Sequence, residues 1–184
     1  MRVITGTARG IRLTTPPGLD TRPTIDRVKE AVFSKIQFEI EGRDVLDLFA
    51  GSGQMGIEAL SRGARHCDFC DLDQRACDCI RDNLRRTDLE QSGEIYAIDY
   101  LRMLSFAQRT RRYGLVFLDP PYQQDDLEQS LEHLANGDIL TDDAVVVCEC
   151  GLEKELPETA GCLVKGKSAR YGKVRIEVYR RETR

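Results

Sequence analysis

Residues 44–56 read Asp-Val-Leu-Asp-Leu-Phe-Ala-Gly-Ser-Gly-Gln-Met-Gly. The apolar residues between Val45 and Phe49 predict a short strand that is covered on both faces. Gly51 and Gly53 then permit a sharp turn and a close approach of the backbone to a ligand. The helix expected next offers free N–H groups to an anionic group. This stretch therefore predicts a strand, a loop and a helix start that together bind a ligand.

The glycines are compatible with two kinds of ligand. Gly51, Gly53 and Gly56 have the spacing G-x-G-x-x-G, and Asp71 lies 20 residues after Gly51, as in dinucleotide-binding proteins. Asp47 argues against a pyrophosphate, because a carboxylate in that strand would repel it and instead suits a cationic amine. The segment Asp47-Leu-Phe-Ala-Gly-Ser-Gly resembles the first motif of the class I S-adenosylmethionine-dependent methyltransferases, whose glycine loop holds the methionine part of the cofactor.

Composition predicts one globular domain. The chain has 184 residues, of which 41% are hydrophobic and 32% charged. No apolar run approaches the roughly 20 residues that span a bilayer, and the N-terminus lacks the apolar stretch of a signal peptide. We expect a cytoplasmic protein with a single methyltransferase domain over 1–184. Within it, 1–43 form a hairpin and helix extension, and 44–184 form a Rossmann-like core.

Charge is distributed unevenly along the chain. The net charge is −4, yet residues 165–184 carry eight Lys and Arg against two Glu. Arg2, Arg9 and Arg12 add positive charge near the N-terminus. Basic ends on an acidic protein favour phosphate binding at one face, although a solvated tail and hairpin are the alternative.

Strands and helices alternate through the middle of the chain, which predicts right-handed βαβ units and a parallel sheet. Two final apolar runs, 161–166 and 173–180, leave no room for a crossover helix and should pair antiparallel. We predict an α/β, Rossmann-like class I methyltransferase fold. It has a mostly parallel seven-stranded sheet, an antiparallel C-terminal strand, and a small N-terminal β-hairpin and helix. The predicted parallel strands are 44–50, 66–71, 94–98, 114–118 and 144–149.

Polar residues follow several strands, at the sheet edge where ligands bind in such folds. Asp71 can accept both ribose hydroxyls of an adenosine, and Asp73 is its rival. Asp99 is placed to accept from the adenine amino group, while Tyr100 or Leu101 covers the ring. Each Asp can instead simply cap the next helix.

Asp119-Pro-Pro-Tyr122 follows the most apolar strand. Pro120 and Pro121 fix φ and remove two N–H donors, which leaves carbonyl acceptors facing the crevice. With the Asp119 carboxylate they can hold an exocyclic NH₂ group and aim its nitrogen lone pair at a methyl sulfonium. Tyr122 can stack on the base, a contact worth roughly 1–3 kcal/mol. Catalysis would rest mainly on positioning, and these four residues are the predicted catalytic set.

The seven cysteines do not predict a metal site. Cys67 and Cys70 fall in a predicted strand and point to opposite faces, and Cys77 and Cys79 diverge around a predicted helix. A tetrahedral zinc site needs convergent thiolates. We interpret the cysteines as small buried or half-buried residues.

Longer motifs indicate which family within the methyltransferases the chain resembles. The chain resembles the RsmD-type 16S ribosomal RNA guanine-N2 methyltransferases over essentially its whole length. The motifs that carry the resemblance are Arg2-Val-Ile-Thr-Gly, Arg9-Gly-Ile-Arg-Leu, Thr21-Arg-Pro-Thr-Ile-Asp-Arg-Val-Lys-Glu, Asp47-Leu-Phe-Ala-Gly-Ser-Gly, Gly56-Ile-Glu-Ala-Leu-Ser-Arg-Gly-Ala and Asp119-Pro-Pro-Tyr. The sequence departs from the family at Asp71, where Glu is more frequent, and at Gln54-Met55, which replaces smaller residues.

The resemblance implies methyl transfer from S-adenosylmethionine to the 2-amino group of one guanine in the small ribosomal subunit or its assembly intermediate. The base must leave its stack to reach the pocket. We expect a monomer. The residues expected to bind the cofactor are Asp47, Phe49, Ala50, Gly51, Ser52, Gly53, Asp71, Leu72, Asp99, Tyr100 and Asp119. Those expected to contact RNA are Arg2, Arg9, Arg12, Arg22, Lys165, Lys167 and Arg170. Arg22 can alternatively anchor the N-terminal segment over the cofactor.

Three rival functions remain at this point. A DNA adenine-N6 methyltransferase shares the Asp-Pro-Pro-Tyr motif but normally needs a target-recognition domain, for which 184 residues leave no room. An NAD-dependent oxidoreductase is disfavoured by Asp47 and by the antiparallel sheet end. A noncatalytic RNA-binding module would be expected to have lost the glycine loop or the Asp-Pro-Pro-Tyr motif.

Overall fold

The computed structural model describes residues 1–16, 23–121 and 125–182. Helices and strands alternate as predicted. The helices are α1 (Pro23–Lys35), α2 (Gln54–Ser61), α3 (Gln74–Thr87), α4 (Tyr100–Ala107) and α5 (Asp126–Asn136). The strands are β1 (Asp44–Asp47), β2 (His66–Cys70), β3 (Gly93–Tyr96), β4 (Tyr113–Leu118), β5 (Leu140–Gly151), β6 (Thr159–Ala160), β7 (Leu163–Lys165), β8 (Ala169–Tyr171) and β9 (Val174–Arg181).

The strands form one mixed sheet in the order β3-β2-β1-β4-β5-β9-β7-β6, with β8 also paired to β9. β1 to β5 are parallel, and β9 runs antiparallel between β5 and the pair β7 and β8. The predicted α/β class is confirmed. Within the described residues the sheet has nine strands rather than seven, because two short strands, β6 and β8, pair beside β7 and β9.

The core has two halves, one on each face of the sheet. Successive residues of a strand point to opposite faces, so Val45 joins one half and Leu46 the other. Helices α1, α2 and α3 cover the first face, and α4 and α5 cover the second. Strands buried on both faces explain the nearly continuous apolar runs of β1 and β4.

The N-terminal segment, residues 1–16, packs against α2. The predicted hairpin is present: Arg2 and Arg12 form an antiparallel bridge, Val3 N donates to the Ile11 carbonyl at 3.0 Å and Leu13 N to the Met1 carbonyl at 3.1 Å. The buried Glu58 carboxylate accepts the backbone N–H groups of Ile4 at 2.8 Å and Thr5 at 3.0 Å, which fixes the segment to the helix. Gly6 lies so close to α2 that a Cβ there would come within 1.7 Å of the Ser61 carbonyl oxygen.

The cysteines are packing residues, as predicted. All seven carry free thiols; six are buried and Cys162 is half-buried. Among the helices that the structure describes, none combines the length and apolarity needed to cross a bilayer.

Candidate functional site

A cleft of about 1140 Å³ opens at the carboxyl ends of the central strands. The loops after β1, β2, β3 and β4 converge there, as ligand-binding loops do in parallel sheets. Of the predicted site residues, those that line it are Asp47, Phe49, Ala50, Gly51, Ser52, Asp71, Leu72, Asp99, Tyr100, Asp119, Pro120 and Pro121.

The glycine loop has the backbone shape that the sequence predicts. Gly51 and Gly53 have φ angles of 54° and 75°, in the left-handed region that side chains disfavour. Gly53 is the N-cap of α2 and does not itself line the cleft. Gly56 has a packing role, because a Cβ there would lie 2.3 Å from the Phe69 ring and 2.6 Å from Cys67 Sγ. Helix α2 can therefore press closely against β2.

Asp47 presents a buried carboxyl group at the base of the cleft. Its Oδ2 accepts the Gly56 N–H at 3.0 Å, and the residue is 4% exposed. Burial, aided by the nearby Asp71 charge, raises the pKa of Asp47 to about 7, against the lowering effect of the Gly56 hydrogen bond. A carboxylate has about four acceptor sites, so it retains capacity for a ligand. A cationic amine there would restore the ionised form.

Asp71 and Asp73, the two candidates for the ribose, are used differently. Asp71 lines the cleft and supports the glycine loop, with its Oδ2 accepting from Gly51 N at 2.8 Å and its Oδ1 from Asp73 N at 2.9 Å. Asp73 caps α3 through Arg75 N and pairs with the Arg75 guanidinium at 2.7 Å. The geometry therefore favours Asp71 for the ribose.

The loops after β2 and β3 give the cleft an apolar rim. Asp99 caps α4 by accepting from Leu101 N at 2.9 Å, and it also faces the cleft. The rings of Tyr100 and Phe49 lie 5.2 Å apart, and the Tyr100 hydroxyl lies 3.0 Å from Asp126. Leu72 is 72% exposed and lines the cleft. These side chains offer apolar surface to a planar ring.

Asp119, Pro120 and Pro121 continue directly from β4 into the cleft. Asp119 is exposed to the cleft, and nearby protein groups displace part of the water around its carboxyl group. This desolvation, together with the Glu149 and Asp47 charges, raises the pKa of Asp119 well above its usual value. Tyr122 lies outside the described residues.

Sequence reasoning missed several residues of the cleft. Met1 and Thr15 reach it from the N-terminal segment, Lys29 from α1, and Tyr171 from β8. These residues belong to segments that are distant in sequence from the strand ends, so no local sequence pattern predicted them. Glu149 carried a usable signal: it is the lone acid at the end of the apolar run of β5, the same pattern that identified Asp119.

The predicted RNA contacts fall into two basic segments beside the cleft. Arg2, Arg9 and Arg12 are exposed on the N-terminal segment, and Lys167 and Arg170 are exposed just before the cleft-lining Tyr171. Lys165 departs from its prediction. Its ammonium donates to the Leu156 carbonyl at 2.8 Å and pairs with Glu158 at 2.6 Å, so its side chain is only 10% exposed. Arg22 lies outside the described residues.

The family follows from a match over nearly the whole chain. Residues 1–180 match the family model described as conserved hypothetical protein 95. The chain belongs to this family. It is 41% identical over 182 residues to the putative rRNA methyltransferase YlbH of Bacillus subtilis, covering 98% of this chain and 99% of that protein. It is 31% identical to the ribosomal RNA small subunit methyltransferase D of Escherichia coli, covering 99% and 90% of the two chains. These matches confirm the resemblance predicted from the sequence motifs.

Solved structures agree with the fold. The putative methyltransferase yhhF from Escherichia coli superposes with a TM-score of 0.86 at 32% identity, covering 100% of this chain and 99% of that one. A more distant neighbour, the putative methyltransferase SMU.776 complexed with SAH, has a TM-score of 0.70 at 13% identity and covers 87% of this chain and 50% of its own. At that identity it supports the fold alone.

Proposed function

We propose that this protein transfers the methyl group of S-adenosylmethionine to the exocyclic N2 amine of one guanine in the 16S rRNA of the small ribosomal subunit. One observation supports this most directly. The glycine loop with Asp47 and the Asp119-Pro120-Pro121 turn line a single cleft, so a methyl donor and an amine acceptor can meet there. The family relatives are named rRNA methyltransferases, one of them for the small subunit.

The cleft residues fit S-adenosylmethionine by their chemistry. Asp47 is a buried carboxyl whose ionised form needs a cationic partner, which the ammonium of the methionine part provides. Asp71 accepts one backbone N–H on each oxygen and retains acceptor sites for two ribose hydroxyls. Leu72 and Tyr100 offer apolar surface to the adenine. When bound, the cofactor supplies a methyl group on an electrophilic sulfonium.

Asp119 and the proline carbonyls hold the acceptor amine. An amine conjugated to a purine ring is a weak nucleophile, because its lone pair is delocalised into the ring. Acceptors on both N–H bonds fix the nitrogen and direct the lone pair at the methyl carbon, which converts a bimolecular encounter into an oriented one. Asp119 can take the proton that the nitrogen loses after transfer, because its carboxylate accepts a hydrogen bond from that amine.

Two basic segments next to cleft-lining residues fit a phosphate backbone. Arg2, Arg9 and Arg12 are exposed on the segment that begins with the cleft-lining Met1, and Lys167 and Arg170 are exposed just before the cleft-lining Tyr171. Phosphate contacts at both segments would hold the RNA while the target base enters the cleft. The proposal leaves out Lys165, because its ammonium pairs with Glu158.

An acceptor competition tests the proposal. The protein is incubated with S-adenosylmethionine carrying a labelled methyl group and with small subunits that lack the modification, naked 16S rRNA, or duplex DNA. We expect label in the small subunits and none in DNA, with Asp119→Ala as the inactive control. Label found only in DNA would contradict the proposal and would support the rival function, methylation of adenine in DNA. S-adenosylmethionine should also raise the melting temperature, whereas NAD should not.

A further inference from the structure

Asp119 directly follows β4, and Glu149 lies two residues before the end of the neighbouring strand β5. The parallel register of β4 and β5 pairs Leu118 with Cys148, which places Asp119 level with Glu149. Adjacent strands are about 4.8 Å apart. Both residues line the cleft, and the Glu149 charge contributes to the raised pKa of Asp119, as expected for close carboxyl groups.

The two carboxyl groups also share one face of the sheet. Leu118 and Cys148 belong to the core half under α4 and α5, whereas Phe117 and Val147 belong to the half under α1 to α3. Because side chains alternate along a strand, the next residues in each strand are expected to return to the α1 side. This part of the cleft is bounded by Val28 and Val32 of α1 and by Tyr171.

We infer that Glu149 is the residue that selects guanine, by accepting the N1–H of the target base while Asp119 and the Pro120 carbonyl hold its N2 amine. The inference rests on the proposed function and adds the recognition of the base to it. Guanine presents adjacent donors, N1–H and N2–H, along one edge. Two level carboxyl groups on neighbouring strands form a matching row of acceptors.

The same two carboxyl groups disfavour a purine that has no hydrogen on N1. Adenine carries an unprotonated ring nitrogen at N1, whose lone pair would face the Glu149 carboxylate. A site that accepts a hydrogen bond from N1–H discriminates against a base without that donor, because the attraction is lost and the N1 lone pair is repelled by the carboxylate. Glu149 thus gives a reason for guanine specificity that the Asp-Pro-Pro motif does not supply, since that motif can hold any exocyclic amine.

The test uses 2-aminopurine, which keeps the 2-amino group but lacks the N1–H. Small subunits are reconstituted with guanine or 2-aminopurine at the position where the wild-type protein methylates guanine. We expect the wild-type protein to prefer guanine by about 100-fold in kcat/KM, the size of one charge-assisted hydrogen bond. Glu149→Gln should reduce that preference at least tenfold, because its amide can donate to the unprotonated N1.

The controls separate the possible failures. Glu153→Gln changes an exposed carboxylate of the same segment and should keep the wild-type preference. A wild-type preference near one, or the same preference in Glu149→Gln as in the wild type, would overturn the role of Glu149 while leaving the proposed function intact. If Glu149→Gln does not fold, as judged by loss of a cooperative melting transition, Glu149→Asp replaces it, and an unchanged preference for guanine in that variant would overturn the role of Glu149. No methylation of subunits that carry guanine would overturn the proposed function and this inference together.

Discussion

The ammonium of Lys29 lies 3.3 Å from the carboxylate of Glu58, and both side chains are at most 1% exposed. This pair joins α1 to α2. Lys29 also donates to the Arg2 carbonyl, and Glu58 accepts from the backbone of Ile4 and Thr5. A buried ion pair therefore fixes the N-terminal segment, whose Met1 and Thr15 form part of the cleft wall.

Glu58→Gln should destabilise the protein strongly. The substitution keeps the size of the side chain but leaves the Lys29 charge buried without its counter-ion, a change that costs about 3–5 kcal/mol. Urea unfolding measures the loss, and trypsin should cleave after Arg9 or Arg12 faster than in the wild type. Glu30→Gln, on the exposed face of α1, is the matched control and should stay within about 0.5 kcal/mol of the wild type. Equal stability of the two variants would contradict the role of the pair.

Asp47→Asn should weaken cofactor binding by about tenfold to a hundredfold, the range for a hydrogen bond between charged groups. The pKa of Asp47 is about 7, raised by burial, so the wild-type carboxyl is ionised for the ammonium only as the pH rises through 7. Wild-type affinity, measured by calorimetry, should therefore increase between pH 6 and pH 8 more steeply than that of the variant.

The same group affects stability in the opposite direction when no cofactor is present. Its folded-state pKa lies above the unfolded value of 3.8, so its contribution is complete below pH 4 and is lost as the pH rises through 7. Asp47→Asn should remove this decline from the melting profile. An identical profile in both proteins would show that Asp47 is ionised in the unliganded fold.

Asp119→Ala should abolish methyl transfer and leave cofactor affinity within about threefold of the wild type. The variant loses the acceptor that orients the amine, and misplaced reactants cost at least about 10²-fold in rate. Single-turnover transfer and calorimetry measure the two effects separately. If transfer and binding fall together, Asp119 supports the structure of the cleft rather than the acceptor.

Lys167→Gln with Arg170→Gln should weaken binding to small subunits and make it less sensitive to salt. Two lost phosphate contacts reduce the slope of log K against log[salt] by about 1.4–1.8. Lys35→Gln with Arg86→Gln is the charge-matched control. These two residues end α1 and α3, at the sheet edge opposite the cleft, and should leave the slope unchanged. An unchanged slope in the variant with Lys167→Gln and Arg170→Gln would show that this basic segment faces solvent and does not contact RNA.

The sequence predicted the parts of the site that depend on local pattern. Asp47, Asp71 and Asp119 follow or end apolar runs, and parallel strands bring such ends to one edge. It did not predict the contacts that join distant segments, such as Glu58 with Ile4 or Asn83 with Thr14, because side-chain periodicity carries no information about partners more than 50 residues away.

The sequence patterns also did not predict the shortest structural elements. The β-hairpin expected at the N-terminus is present but short, because Ile4 N and Thr5 N donate to Glu58 of α2. β8 has three residues and depends on β9 for pairing, so it has no pattern of its own. Lys165 was assigned to RNA from charge alone, and its partner Glu158 became evident only from the packing of β7.

The central claim is that the amine held beside Asp119 is the N2 of a single guanine. Nucleoside mass spectrometry of unmodified small subunits, after incubation with the protein and S-adenosylmethionine, tests it most directly. We predict N2-methylguanosine at one position of 16S rRNA and none with Asp119→Ala. Methyladenosine, or methylation of DNA alone, would contradict the claim.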